Sequence, residues 1–195
     1  MIRKLPLLLL ASLFFTAANA QKLTVVVNYV SSDGQTKNNI NYKPGQLLSW
    51  ADFTGKPIMS SDAAALTNAG FGLKLSFRRA ENASQLVINV NCSFSKNESW
   101  VKPGNKTAYI LNHEQKHFDI AFIHTIAFIQ NLKQASFTNK NYAALIEKIY
   151  NETAAAMSKT QNEYDGQTSH SRIEAKQAAW DKKIGEQLAE AIKNE

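Results

Sequence analysis

His113-Glu114-Gln115-Lys116-His117 constrains the fold of this chain more than any other stretch. On a helix, a four-residue separation puts both imidazoles on one face, one turn apart, where they can grip a single metal ion. The glutamate beside the first histidine faces the same cleft, placed to take a proton from a water on that metal. The chain has four histidines in 195 residues, so a chance match to this pattern is uncommon. The pattern demands a long helix with a cleft along it.

The first twenty residues read as a segment outside the fold. Arg3 and Lys4 give a positive start, Leu7 to Phe15 an apolar run, and Ala18-Asn19-Ala20 a small-residue cleavage site. That is the pattern of a secretory signal peptide (1–20), with an apolar part too short for a membrane span. Cleavage would leave 21–195 as a single domain, large enough to bury its own core. The expected location is exported, periplasmic or extracellular, with no membrane span.

Cys92 is the only cysteine, so no intramolecular disulfide forms and no cysteine cluster can hold a metal. In the strand expected over Gln85 to Phe94 it reads as a small buried residue. The net charge of +6 falls to +4 once Arg3 and Lys4 are removed. The remaining lysines are scattered, and no basic stripe is interleaved with aromatics, so nucleic acid is not an expected partner.

The N-terminal half carries β patterning. Lys22 to Tyr29 is valine-rich and is followed by the turn sequence Ser31-Ser32-Asp33-Gly34. Phe71, Leu73, Leu75 and Phe77 alternate with Gly72, Lys74, Ser76 and Arg78, the period of a half-buried strand. A polar turn at Glu81-Asn82 leads into a second such run. The segment Leu48 to Pro57 reads as a tight loop anchored by Trp50 and Phe53. The alanine-rich Ser60 to Thr67 offers Ser61 or Asp62 as a helix cap.

The C-terminal half carries helical patterning. One helix is expected from about Thr107 to Lys133, a second from Tyr142 to Tyr164 ended by Gly166, and a third from Ser171 to Lys193. The fold class is α+β, with an N-terminal antiparallel sheet packed on C-terminal helices.

A catalytic zinc site needs three protein ligands and an open position. His113 and His117 supply two, and Glu114 is the candidate general base. His124 lies on the same face but about 10 Å further along the axis, too far for a bond of about 2 Å. Asp119 points about 200° around the helix from His117. If the first two helices form an antiparallel hairpin, the chain returns to the histidines near Gln161 to Asp165. Two assignments then stand. Asp165 ligates the metal while His170 or Tyr164 stabilises the oxyanion, or His170 ligates and Asp165 orients a histidine. A carboxylate on the helix is the simpler geometry.

Several segments, in order, resemble a bacterial family of predicted secreted zinc-dependent proteases, catalogued as domain of unknown function 922. They are Leu48-Ser49-Trp50-Ala51-Asp52-Phe53-Thr54-Gly55, Ser99-Trp100-Val101 and His113 to Ile120. Gln161 to His170 and the closing Gln177, Trp180, Ile184 and Leu188 complete the set. The resemblance implies an exported bacterial metallopeptidase of the zincin type, but no particular substrate; one Zn2+ per chain and a peptide or protein substrate are the expected cofactor and partner. The family has a small or apolar residue where Lys116 stands, and glycine where Ser171 follows His170. Lys116 is expected on the outward face, where it would tune substrate charge preference. Asp52 and Asp119 are expected to hydrogen-bond backbone in loops.

The leading expectation is therefore peptide-bond hydrolysis by a zinc-activated water. A non-catalytic zinc-binding or protein-interaction module of the envelope is the first alternative. A cell-wall peptide amidase with the same site is the second. Retention of Glu114 argues against the first, because a structural site needs no base.

Overall fold

The structure is a computed structural model that describes residues 22–32, 36–80 and 83–195. The expected signal peptide at 1–20, Asp33-Gly34 of the first turn and the turn at Glu81-Asn82 lie outside the described residues.

Among the described residues, six strands precede three α-helices. The strands are β1 (Lys22–Tyr29), β2 (Asn39–Asn41), β3 (Ala65–Leu66), β4 (Ala69–Arg79), β5 (Ala83–Ser95) and β6 (Trp100–Val101). The helices are α1 (Ala108–Gln134), α2 (Tyr142–Thr168) and α3 (Glu174–Lys193). The arrangement is α+β, as the patterning predicts. β5 organises the sheet because it alternates perfectly: Leu86, Ile88, Val90, Cys92 and Phe94 are all fully buried on one face. Each such side chain contributes about 1.5–3 kcal/mol by leaving water.

β4 pairs antiparallel with β5 along most of its length, from Ala69↔Phe94 to Arg79↔Ser84. The other edge of β5 is shared. β1 lies along it in parallel register, Lys22↔Ala83 to Tyr29↔Val90, and β2 completes it antiparallel, Asn39↔Ser95 to Asn41↔Ser93. The sheet is therefore mixed, which corrects the antiparallel expectation. β2 can reverse onto the far end of β5 only if β1 has first run toward that end, which sets β1 parallel to β5. Alternation within a strand carries no information about that direction.

Three further expectations shift. The alanine-rich 60–67 stretch forms no helix. It ends in β3, which pairs with β6 as Ala65↔Val101 and Leu66↔Trp100, because tertiary pairing overrides alanine's helix preference. Helix α2 runs through Gly166 to Thr168, since a glycine inside a helix costs only about 1 kcal/mol and does not by itself end it. Ser169 ends it in the left-handed region at φ 51°. α3 starts at Glu174, three residues later than expected. In the 48–57 loop, a single 3-10 turn, Trp50–Asp52, sets Trp50 against Phe53, with ring centroids 4.9 Å apart.

α1 is the central element. One side packs Phe118, Phe122, Phe128, Ile129 and Leu132 against the sheet. The opposite side meets α2 and α3 through Ile120, Tyr164, Trp180 and Ile184. Enclosure from both sides explains why its two metal-type histidines are buried. Among the described residues no helix is long and apolar enough to cross a membrane.

Candidate metal centre

Thr107 caps α1 by accepting a hydrogen bond from the Ile110 amide at 3.1 Å. The helix then presents His113 and His117 one turn apart, facing the last turns of α2. Tyr164, fully buried on α2, lies between them. Its ring stacks on His113 at 4.5 Å and meets His117 edge-on at 4.9 Å. One turn of α2 is therefore matched to one turn of α1, and Asp165 falls opposite both histidines.

The three donors converge. Asp165 Oδ1 is 3.1 Å from His113 Nε2 and 3.0 Å from His117 Nε2, and the two Nε2 atoms are 3.2 Å apart. Both other ring nitrogens are already committed. His113 Nδ1 meets Gln177 Oε1 at 2.8 Å, while Gln177 Nε2 donates to Asp181 at 2.7 Å. His117 Nδ1 meets Gln161 Oε1, while Gln161 Nε2 donates to the His117 carbonyl at 2.9 Å. The outward bonds fix which amide atom faces each ring, so both Nδ1 atoms must donate. With the rings neutral, two Nε2 lone pairs and a carboxylate oxygen are then aimed at one another, an arrangement that a proton on Nε2 or a metal cation relieves.

The electrostatics agree. Burial would raise the Asp165 carboxyl pKa, but hydrogen bonds from both histidines and the charges of His117 and His170 hold it well below the usual range. Burial lowers the His117 pKa, but the Asp165 hydrogen bond and the charges of Glu114 and Asp165 push it up to about 9. With Nδ1 spent on Gln161, the added proton occupies the same Nε2 position that a metal would use. His113, His117 and Asp165 thus form a cluster that could hold a metal ion, and their nitrogen and oxygen donors fit a borderline divalent cation.

Glu114 stands beside this cluster, 3% exposed, and its Oε2 has no hydrogen-bond partner among the described residues. Burial raises its pKa, with His117 and His113 pulling the other way. The cluster opens onto a cavity of about 470 Å³. α1 supplies its floor, α2 one wall, and the 63–69 segment the other, with His170 and Ser171 also in the lining. The Thr67 hydroxyl donates to the Glu114 carbonyl at 3.1 Å and ties that wall to the helix.

His170 reaches the cavity on a strained turn. Ser169, His170 and Ser171 all have positive φ, at 51°, 51° and 69°. Non-glycine residues enter that region at about 1–2 kcal/mol each. The turn brings His170 Nδ1 to 3.3 Å from Asp165 Oδ1 and leaves the side chain 38% exposed.

Other sequence candidates lie elsewhere. The Tyr164 hydroxyl turns into the helix interface, accepting from Gln177 Nε2 at 2.6 Å and donating to the His113 carbonyl at 3.4 Å. His124 pairs with Thr160 Oγ1 at 3.0 Å, away from the cluster. Asp119 is buried among side chains, not loop backbone: Tyr42, Gln115 and Lys116 all donate to it. Lys116 is consequently folded onto Asp119, largely buried, and does not line the cavity. Asp52 does bond loop backbone, accepting from the Ser49 amide at 2.9 Å. Sequence reading missed the roles of Gln161, Gln177 and Asp181. The available signal was Gln177, a polar residue in helical register with Trp180 and Ile184 on the buried stripe of α3.

The segment 91–171 matches a family described as "Bacterial protein of unknown function (DUF922)", and the match spans the whole of β6 and α1, the cluster and His170. No curated protein and no solved structure matches the chain.

Proposed function

We propose that this chain, which belongs to that bacterial family through residues 91–171, is an exported zinc-dependent hydrolase of peptide bonds. The observation that carries the reading is the convergence of His113 Nε2, His117 Nε2 and Asp165 Oδ1 beside the buried Glu114, whose Oε2 has no hydrogen-bond partner among the described residues. Zinc bound by these three would supply Lewis acidity, lowering the pKa of water and polarising a carbonyl. Two imidazoles and one carboxylate, with space beyond them, is a donor set of the catalytic kind.

The chain's own residues do the rest. Glu114 takes a proton from the attacking water as its oxygen bonds to the carbonyl carbon. It returns that proton to the amine nitrogen as the C–N bond breaks, so the water is consumed and Glu114 regenerated. His170, on its fixed turn at the cavity edge, is placed to hydrogen-bond the carbonyl oxygen as it gains charge. Tyr164 backs His113.

An extended substrate has a place to lie. The Lys102 amide donates to the Ala64 carbonyl, and Leu66 pairs with Trp100, so the backbone groups of Ala65 between them turn away from β6. Among the described residues no second strand pairs with that side of β3, which lines the cavity, so an extended peptide can add there. This favours peptides over a metal-storage or purely structural role. Glu114 argues the same way, since a buried carboxylate oxygen without a partner, Oε2, costs about 1–3 kcal/mol that a structural site would shed.

The test is hydrolysis of unstructured peptides, read as newly released amino groups. Activity should vanish with a chelator and return with zinc. Full activity in the chelated, zinc-free protein would refute the reading.

A further inference from the structure

We propose that Gln161 and Gln177 are positioning residues for the metal centre, each using a single amide to fix the tautomer and orientation of one histidine. The inference rests on the reading that His113, His117 and Asp165 hold zinc.

Each glutamine uses both ends of its amide. Gln161, on α2, accepts from His117 Nδ1 and donates to the carbonyl of that same residue at 2.9 Å, so it grips His117 at ring and backbone. Gln177, on α3, accepts from His113 Nδ1 and donates to the Tyr164 hydroxyl and to Asp181 Oδ1. Asp181 Oδ2 in turn receives Asn112 Nδ2 at 3.0 Å, from the residue preceding His113. The circuit from α1 through α3 back to α1 is closed. A carboxylate at 177 would lack the donor that Tyr164 and Asp181 require.

The consequence is chemical. An imidazole without such backing samples the tautomer with its proton on Nε2, which must be lost before that nitrogen can bind a metal. It also rotates, so that the two Nε2 atoms and Asp165 Oδ1 no longer converge. Among the described residues His113 Nδ1 has no other partner than Gln177. α3 therefore contributes no ligand yet sets the orientation of one, and it does so from beyond the 91–171 segment that the family covers.

Zinc affinity measured by competition with a chromophoric chelator tests this on the purified protein, alongside thermal melting of the metal-free forms and the cobalt absorption spectrum. Gln161→Met and Gln177→Met should each weaken zinc binding about 10- to 100-fold, and Gln161→Glu, which keeps an acceptor for Nδ1 but loses the donor to the His117 carbonyl, should lose less than Gln161→Met. Asp181→Leu should follow Gln177→Met, and the cobalt bands should shift in every weakened variant. Gln161 is only half-buried, so Gln161→Met should melt with the wild type when metal-free, which keeps the test decisive if Gln177→Met folds poorly. Wild-type affinity in Gln161→Met would overturn the inference while leaving the zinc reading intact. A wild type that binds no zinc would overturn both, and His113→Ala, expected to lose binding outright, separates the two failures.

Discussion

Replacing Tyr164 with phenylalanine removes one oxygen from the most enclosed side chain near the centre. The ring, fully buried and stacked 4.5 Å from His113, keeps its volume and its contacts. The hydroxyl accepts one short bond from Gln177 Nε2 at 2.6 Å and donates one long bond to the His113 carbonyl at 3.4 Å. Burial holds its pKa far above the ordinary tyrosine value, so it is always the neutral phenol. Without it, Gln177 Nε2 retains Asp181 at 2.7 Å, and one of its hydrogens loses its partner. One good hydrogen bond is worth about 0.5–1.5 kcal/mol, with the unsatisfied donor setting the upper end. In a chain of this length about 1 kcal/mol moves Tm by about 2–4 °C, so Tyr164→Phe should melt about 1–6 °C lower. The hydroxyl does not face the cavity, so kcat should change little. Removing an oxyanion donor would instead cost about 10²–10³ in kcat. Parallel thermal melts and turnover on one unstructured peptide separate the cases. A loss of 100-fold order in kcat at unchanged Tm would refute the positioning role and restore Tyr164 as the oxyanion group.

Three further outcomes follow from particular contacts. His170→Ala should lower kcat about 10²-fold with little change in Tm or zinc content, measured by turnover and metal analysis, because the side chain is exposed at the cavity and holds no core contact. A Cβ at Gly55 would lie 2.8 Å from the backbone oxygens of both Asn97 and Ser99, so Gly55→Ala should destabilise the fold by about 1–3 kcal/mol in a denaturant titration. Asp52 carries a depressed pKa: burial, which raises it, is outweighed by hydrogen bonds from Lys96 and Ser49. Asp52→Asn should therefore cost about 1 kcal/mol at neutral pH. A carboxyl depressed below its ordinary value of 3.8 stabilises above that value and loses the effect as pH falls through the folded one, so wild type and variant should converge there in a pH series of melts.

The histidine pair and the segment that faces it, with Asp165 and His170 as the two candidate partners, were readable in the sequence because both follow from helix geometry. Four-residue spacing aligns His113 with His117, and an antiparallel return of similar length lands Asp165 beside them. What supports the pair was less readable. Gln161 and Gln177 meet their histidines across 44 and 64 residues, and a glutamine carries no spacing signal of its own. The wall of the cavity was misread because Ala63 to Ala65 has helix propensity, while the strand at Ala65–Leu66 comes from β6, over thirty residues away. The end of α2 was misplaced because glycine is only permissive: the stop comes from the left-handed run at Ser169 to Ser171, which sequence preferences disfavour. That such a run lies at the cavity mouth fits the wider pattern of strain kept where it holds a functional group.

The central claim is that Glu114 acts as the base on water activated beside His113, His117 and Asp165. Its most direct test is peptide hydrolysis by zinc-loaded Glu114→Gln against zinc-loaded wild type, with bound zinc counted in the same samples. The account predicts about one zinc per chain in both, and a loss of about 10²–10⁴ in kcat for the variant. Equal turnover by the two zinc-loaded proteins would contradict it.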